Sequence, residues 1–181
     1  MRLIFYILIL LSLLLPQDQM FVGTRPLGMG GAFIAVADDG NTITWNPAGL
    51  PRLRRKEFTS SYADLYAMNI THSYAGVVWP FGDRIAIGFD WSNIGFDDQE
   101  LNYSENKLNF SLGYQPIKML SIGGTFKYLS RDMGLDGTSY GKTSGIGYDI
   151  GLLFSPFKKL RFGMGVYDLG GTDVTYKQNK V

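Results

Sequence analysis

The residues able to do acid–base or nucleophilic chemistry are few and scattered. His72 is the one histidine, and there is no cysteine. A nucleophile–histidine–acid arrangement needs its histidine in a pocket, whereas the local pattern points His72 outward, to an interfacial position. Without cysteine, disulfides, thiolate catalysis and Cys-based zinc sites are excluded. Asp38-Asp39, beside Gly40, could hold a cation or a substrate head group, and the same pair suits a turn or helix start. Asp97, Asp98, Glu100 and Glu105 form a second acidic stretch whose spacing misses the calcium-loop motif; Asp132 to Gly137 misses it too, because Gly134 stands where an acid is required. Gly28, Gly30 and Gly31 permit positive φ or tight packing. They are followed by no Gly-Lys-Ser/Thr, and their spacing fails the dinucleotide pattern. No catalytic set, metal centre or cofactor is expected, and an enzyme ranks last among the readings.

Five charges form a more coherent group: Asp90, Lys107, Lys127, Asp149 and Arg161. Each falls on the small or polar side of an alternating segment. Ile85, Ile87, Phe89 and Trp91 share one face, and Ala86, Gly88, Asp90 and Ser92 the other. Leu108, Phe110, Leu112 and Tyr114 stand against Lys107, Asn109, Ser111 and Gly113. Leu120, Ile122, Phe126 and Tyr128 stand against Ser121, Gly123, Thr125 and Lys127, and Ile146 to Phe154 alternates likewise around Asp149. Side chains alternate across a strand, so every segment has one apolar and one small or polar face. On a barrel whose apolar face meets lipid, the charges would face the lumen. There they would pair with one another, contact a plug or set selectivity, pairing being the first reading.

Composition agrees. Charged residues are 18% and aromatics 14% of the 181 residues, and glycine occurs 23 times. A soluble domain carries about 25% charged residues. The formal net charge is +1, and the one basic cluster, Arg52, Arg54, Arg55 and Lys56, reads as a solvated loop, so nucleic-acid binding has little support. Met1-Arg2 and the apolar run Leu3 to Leu15 match a secretory signal, expected over residues 1–20; the run is too short to span a bilayer comfortably, an uncleaved short anchor being the alternative.

Three joints repeat one pattern: Val78-Trp79-Pro80-Phe81, Tyr114-Gln115-Pro116-Ile117 and Phe154-Ser155-Pro156-Phe157, each followed by a polar link. Proline ends a strand and favours a turn. Between successive joints lie two strands and a polar stretch, roughly Gly95 to Asn106 and Arg131 to Gly145, read as long loops. Short turns at one end and long loops at the other are the layout of outer-membrane barrels. About seven strands are expected, near 57–66, 69–79, 84–94, 107–115, 119–130, 145–155 and 159–168. The first alternates poorly. The second takes its phase from the joints, which sets Val78, Tyr74 and His72 outward. Seven strands do not close neatly, and an open edge in lipid leaves backbone groups unpaired. The expectation is therefore the first half of a longer barrel, over residues 57–181.

Between leader and first strand, residues 21–56 read as an irregular or helical plug segment. Asn46 can cap a short helix with Pro47 at its first position. The run Gly28 to Asp39, followed by Trp45-Asn46-Pro47-Ala48-Gly49-Leu50, resembles the start of the PorV/PorQ family, related to the long-chain fatty acid transporters of the FadL type. The resemblance implies a fourteen-stranded outer-membrane barrel with an N-terminal segment in its lumen. It makes Gly28, Gly30, Gly31, Asp38, Asp39, Trp45, Asn46 and Pro47 the plug or ligand candidates. It also implies one of two roles: passage of hydrophobic solutes across the bacterial outer membrane, or receipt of exported client proteins at the cell surface by a type IX secretion component.

A soluble lipocalin-like barrel fits the length, but its exterior would be Gly, Ser, Ala and Asn with few charges, which is poor for solubility. On the membrane reading, lysine at Phe89 or Ile122 should block assembly far more than Gly88→Ser or Thr125→Ser. Asp38 and Asp39 are the expected partners of the inward bases Lys127 and Arg161.

Overall fold

The computed structural model describes residues 23–65, 67–97, 101–135, 138–157 and 159–171. The leader, and with it any cleavage site, lies outside the described residues, as do Asp98, Glu100, Asp136 and Gly137. Helix α1 (Thr24–Gly28), helix α2 (Thr42–Trp45) and a 3-10 helix (Pro47–Arg52) precede seven strands. These are β1 (Glu57–Leu65), β2 (Ile70–Phe81), β3 (Ile85–Asp97), β4 (Leu101–Ile117), β5 (Leu120–Leu135), β6 (Thr138–Phe157) and β7 (Leu160–Leu169). They form one sheet in chain order, and every neighbouring pair is antiparallel. The fold is all-β, an antiparallel meander.

The two faces differ as the alternation demands. On β3 to β7 the outer face carries Ile85, Phe89, Trp91, Phe110, Leu112, Ile122, Phe126, Ile146, Ile150, Phe162 and Met164, all exposed. The inner face buries Ala86, Asp90, Ser92, Asn109, Ser111, Ser121, Thr125, Asp149 and Leu153. Strand β1, whose sequence alternates poorly, alternates strictly in burial. Its outer positions are Phe58, Ser60, Tyr62 and Asp64, so its apolar stripe is interrupted while its pleat is not.

The core does not lie between two sheets. It lies between the inner face and residues 23–56, in two clusters: Phe33, Ala37, Trp45, Ala48 and Leu153, and Ile43, Leu50, Leu53, Val78 and Ala86. Most of the large side chains, Phe33, Trp45, Ile43, Leu50 and Leu53, come from the N-terminal segment, and the strands add Leu153, Val78 and Ala86. Burying a side chain of the Leu or Phe class contributes about 1.5–3 kcal/mol, so Phe33, Ile43 and Leu50, each at most 1% exposed, anchor the segment.

Two expectations fail. First, the phase of β2 is inverted: His72 and Tyr74 are 2% exposed and Val78 is fully buried, while Val77, Trp79 and Phe81 face out. The proline joints are not equivalent. The β4–β5 and β6–β7 ladders shift register between Tyr114 and Ile117 and between Phe154 and Phe157. The β2–β3 ladder runs without a shift from Ile70↔Phe96 to Phe81↔Ile85. A one-residue bulge moves every later side chain to the opposite face. The residue after proline (Phe81, Ile117, Phe157) is outward in all three joints, but positions before it agree only where a bulge is present. Second, the polar stretches are mostly strand. β4 begins at Leu101, β5 continues to Leu135 and β6 begins at Thr138. Polar side chains there bond one another across the strands, Arg131 to Glu105 at 2.6 Å and Asn93 to Ser104 and Asn106, while the backbone ladder continues.

Candidate functional site

The inner face and the segment lying on it gather most of the polar chemistry among the described residues. A row of glycines makes the approach possible. Gly113 pairs with Gly123, Gly123 with Gly151, and Gly151 with Gly165, across β4 to β7. A Cβ at Gly113 would lie 2.6 Å from Pro51 Cδ, and one at Gly88 would lie 2.7 Å from Ile43 Cγ1. At Gly123 it would strike the Pro47–Ala48 backbone, and at Gly151 the Asn46 side chain. At Gly163 it would strike the Ile34–Ala35 backbone. The sheet presents bare backbone where the segment must touch it.

Asn46 is the hub of that contact. It is fully buried. Its Oδ1 accepts from Ala48 N at 3.1 Å, capping the 3-10 helix with Pro47 at the first position. Its Nδ2 donates to Ile34 O at 2.9 Å and to Leu152 O on β6 at 3.3 Å. Further bonds tie the segment to the sheet. Thr44 Oγ1 donates to Asp90 Oδ2 at 3.0 Å, Tyr167 OH to Trp45 O at 2.6 Å, and Arg52 to Ser155 Oγ at 2.7 Å. Trp45 packs edge-on against Phe33 with centroids 6.2 Å apart. Gly30 and Gly31 have positive φ, 63° and 79°, and Gly31 lies beside the Trp45 ring. Gly28 is exposed, with open space where a side chain would be.

The charges sort into local pairs. Lys127 Nζ is 2.8 Å from Asp149 and 4.0 Å from Asp168. Asp90 is fully buried and accepts from Asn109 Nδ2 at 2.8 Å as well as from Thr44. Lys107 is half-buried on β4, one inward position from Asn109. Asp38 and Asp39 both bind Arg25, at 2.7 Å each, and these bonds, to Asp39 first and then Asp38, raise the Arg25 pKa above its ordinary value. Arg161 hydrogen-bonds the carbonyls of Val36 and Ala35, with Asp38 at 3.9 Å. Asp38 thus reaches one inward base, while Arg25, within the segment itself, takes both acids. Lys127 pairs with the sheet's own acids.

Alternation alone does not identify Thr44, Asn109, Arg25, Tyr167 or the glycine row. The signal for the row was present: aligning β4, β5, β6 and β7 by their faces sets Gly113, Gly123, Gly151 and Gly165 level.

Two concavities adjoin this region. One, of about 660 Å³, sits at the short-turn end and is lined by Arg52, Lys118, Met119, Phe157, Lys159 and Arg161 among others. Burial lowers the Arg52 pKa, and the charge of Arg161 adds to the effect. The other, of about 450 Å³, is an apolar depression on the outer face around Gly124, walled by Leu112, Ile122, Ile150 and Met164.

No family model matches the sequence, and a search of curated proteins returned no match. Among solved structures the chain is similar to one described as "CymD monoaromatic hydrocarbon channel", with a TM-score of 0.66 and 17% identity. The alignment covers 83% of this chain and 53% of that one, so the chain spans about half the length of the channel. The likeness carries the fold alone: the seven-stranded antiparallel sheet and the segment on it resemble part of that channel's fold.

Proposed function

We propose that the chain belongs to an outer-membrane β-barrel through which hydrophobic small molecules pass, with residues 23–56 acting as a lumenal plug. One observation carries this reading. From Ile85 on β3 to Val166 on β7, the outer positions at mid-strand form an apolar band with no charged side chain. From Ile146 to Phe157 that band rises roughly 36 Å along β6, or about 28 Å along the membrane normal at a tilt of ~40°, close to the ~25 Å apolar band of such barrels. Trp79 lies under the Lys56 ammonium, 3.4 Å from the ring centroid, at the turn end where an interfacial aromatic belongs. The segment packed on the inner face, bonded through Asn46, Thr44, Trp45 and Arg52, sits where a solute would travel. The hydrocarbon channel of similar fold supports passage of hydrophobic molecules. A resemblance to PorV/PorQ proteins supports the alternative role, binding of secreted clients. The test is deletion of Leu27 to Leu50 in the full-length protein. A barrel that still inserts but conducts more ions in planar bilayers, and admits toluene-class solutes faster, supports a plugged channel. Unchanged conductance and unchanged solute entry reject it.

A further inference from the structure

We propose that the cavity at the short-turn end is a binding site for the headgroup of an anionic phospholipid from the leaflet on that side. The proposal rests on the outer-membrane reading. Among the described residues, four cationic side chains line the cavity, Arg52, Lys118, Lys159 and Arg161, and no acidic one does. They come from three places: the N-terminal segment, the β4–β5 turn, and the β6–β7 turn with the start of β7. Arg52 gives one guanidinium bond to Ser155 Oγ at 2.7 Å, yet its Nε is buried with no hydrogen-bond partner among the described residues. A buried N–H left that way is unfavourable unless a ligand accepts from it. Arg161 is fixed on the Ala35 and Val36 carbonyls, with Asp38, already bound by Arg25, 3.9 Å away. Lys118 and Lys159 are exposed and stand in no ion pair among the described residues.

The rest of the lining gives the ligand its tail. Met119, Phe157 and Leu160 flank the cations, and all three are exposed, Phe157 by 71%. They continue into the outer apolar band through Ile117, Phe154 and Phe162. A free inorganic anion has no use for that wall. A phosphodiester with acyl chains matches both halves: guanidinium and ammonium groups on the phosphate, apolar side chains beside the first methylenes.

The full-length protein, purified in a maltoside detergent, is titrated by calorimetry with dihexanoyl phosphatidylglycerol, dihexanoyl phosphatidylcholine and inorganic phosphate. Saturable binding of phosphatidylglycerol, about tenfold or more tighter than phosphatidylcholine, is expected. Lys118→Gln with Lys159→Gln should weaken it by about fivefold per lysine, without altering the heat-modifiable gel migration of the folded barrel. Arg52→Gln should weaken it further. Equal affinity for the two lipids, or an unchanged double-lysine variant, overturns the proposal. Inorganic phosphate binding as tightly as phosphatidylglycerol also overturns it, in favour of a free anion. The titration is done in micelles, so its failure is separate from that of the membrane reading, which fractionation decides.

Discussion

At the scale of single residues, the two faces of the sheet have opposite tolerances. Phe89 and Ile122 are 47% and 44% exposed on the outer face. A lysine at mid-bilayer on such a face costs about 2–4 kcal/mol, so Phe89→Lys or Ile122→Lys should sharply reduce the yield of assembled barrel in purified outer membranes. Thr125→Ser should not, because the hydroxyl that bonds Ser111 at 2.7 Å is kept. Equal yields would mean that the faces are reversed. The inner face is less forgiving than a water-filled lumen would be. Gly88→Ser places a Cβ 2.7 Å from Ile43 Cγ1, and that buried side chain would have to shift. Gly123→Ala drives one into the Pro47–Ala48 backbone, which cannot. Gly123→Ala should therefore lower the unfolding free energy measured by urea titration by the overpacking range, about 1–3 kcal/mol. Gly124→Ala, one residue away with its nearest contact at 3.7 Å, should leave it unchanged.

At the scale of elements, β2 provides the most direct check. Its ladder to β3 has no bulge, so Val77 faces out and Val78 is buried against Ile43 and Leu50. Because the chain has no native cysteine, Val77→Cys and Val78→Cys can be compared cleanly with a lipophilic maleimide in intact membranes. Val77→Cys should label and Val78→Cys should not; the reverse outcome would restore the phase taken from the proline joints. The N-terminal segment is the second element under test. Its helices are short, five and four residues. Isolated helices of that length are unstable, so the segment is ordered by the sheet, through Asn46, Thr44 and the glycine row. Thr44→Val combined with Asn46→Leu removes bonds to Asp90 and to Leu152 O. In the full-length protein, this pair should raise single-channel conductance toward that of the Leu27–Leu50 deletion while the barrel still inserts.

At the scale of the whole molecule, the sheet has β1 and β7 at its edges, with no pairing between them among the described residues. An unpaired edge in hydrocarbon is costly because each free N–H and C=O has no water to bond. The chain spans about half the length of the channel it resembles in fold. The full-length protein should partition with outer membranes and resist extraction by high salt and carbonate. Recovery in the soluble periplasmic fraction would reject the membrane reading, since the outer band from Phe110 to Val166 would then face water.

Strand position and the faces of β3 to β7 were determined by the sequence itself. Alternation has a period of two residues and is a local property, legible in Ile85 to Trp91 or Ile146 to Phe154 without any partner. The Asn46-Pro47 cap is local for the same reason, its acceptor bond reaching only to Ala48. Three things were decided in three dimensions. A bulge is a relation between two strands, so the phase of β2 depended on its ladder to β3. Polar residues from 101 to 106 remain strand because β3 and β5 hydrogen-bond them on either side. The contacts that seat the N-terminal segment join residues far apart: Thr44 to Asp90, Asn46 to Leu152, Trp45 to Tyr167. None of those pairings is legible in the neighbourhood of either residue; each comes from the close approach that the glycine row permits, and only folding brings that approach about.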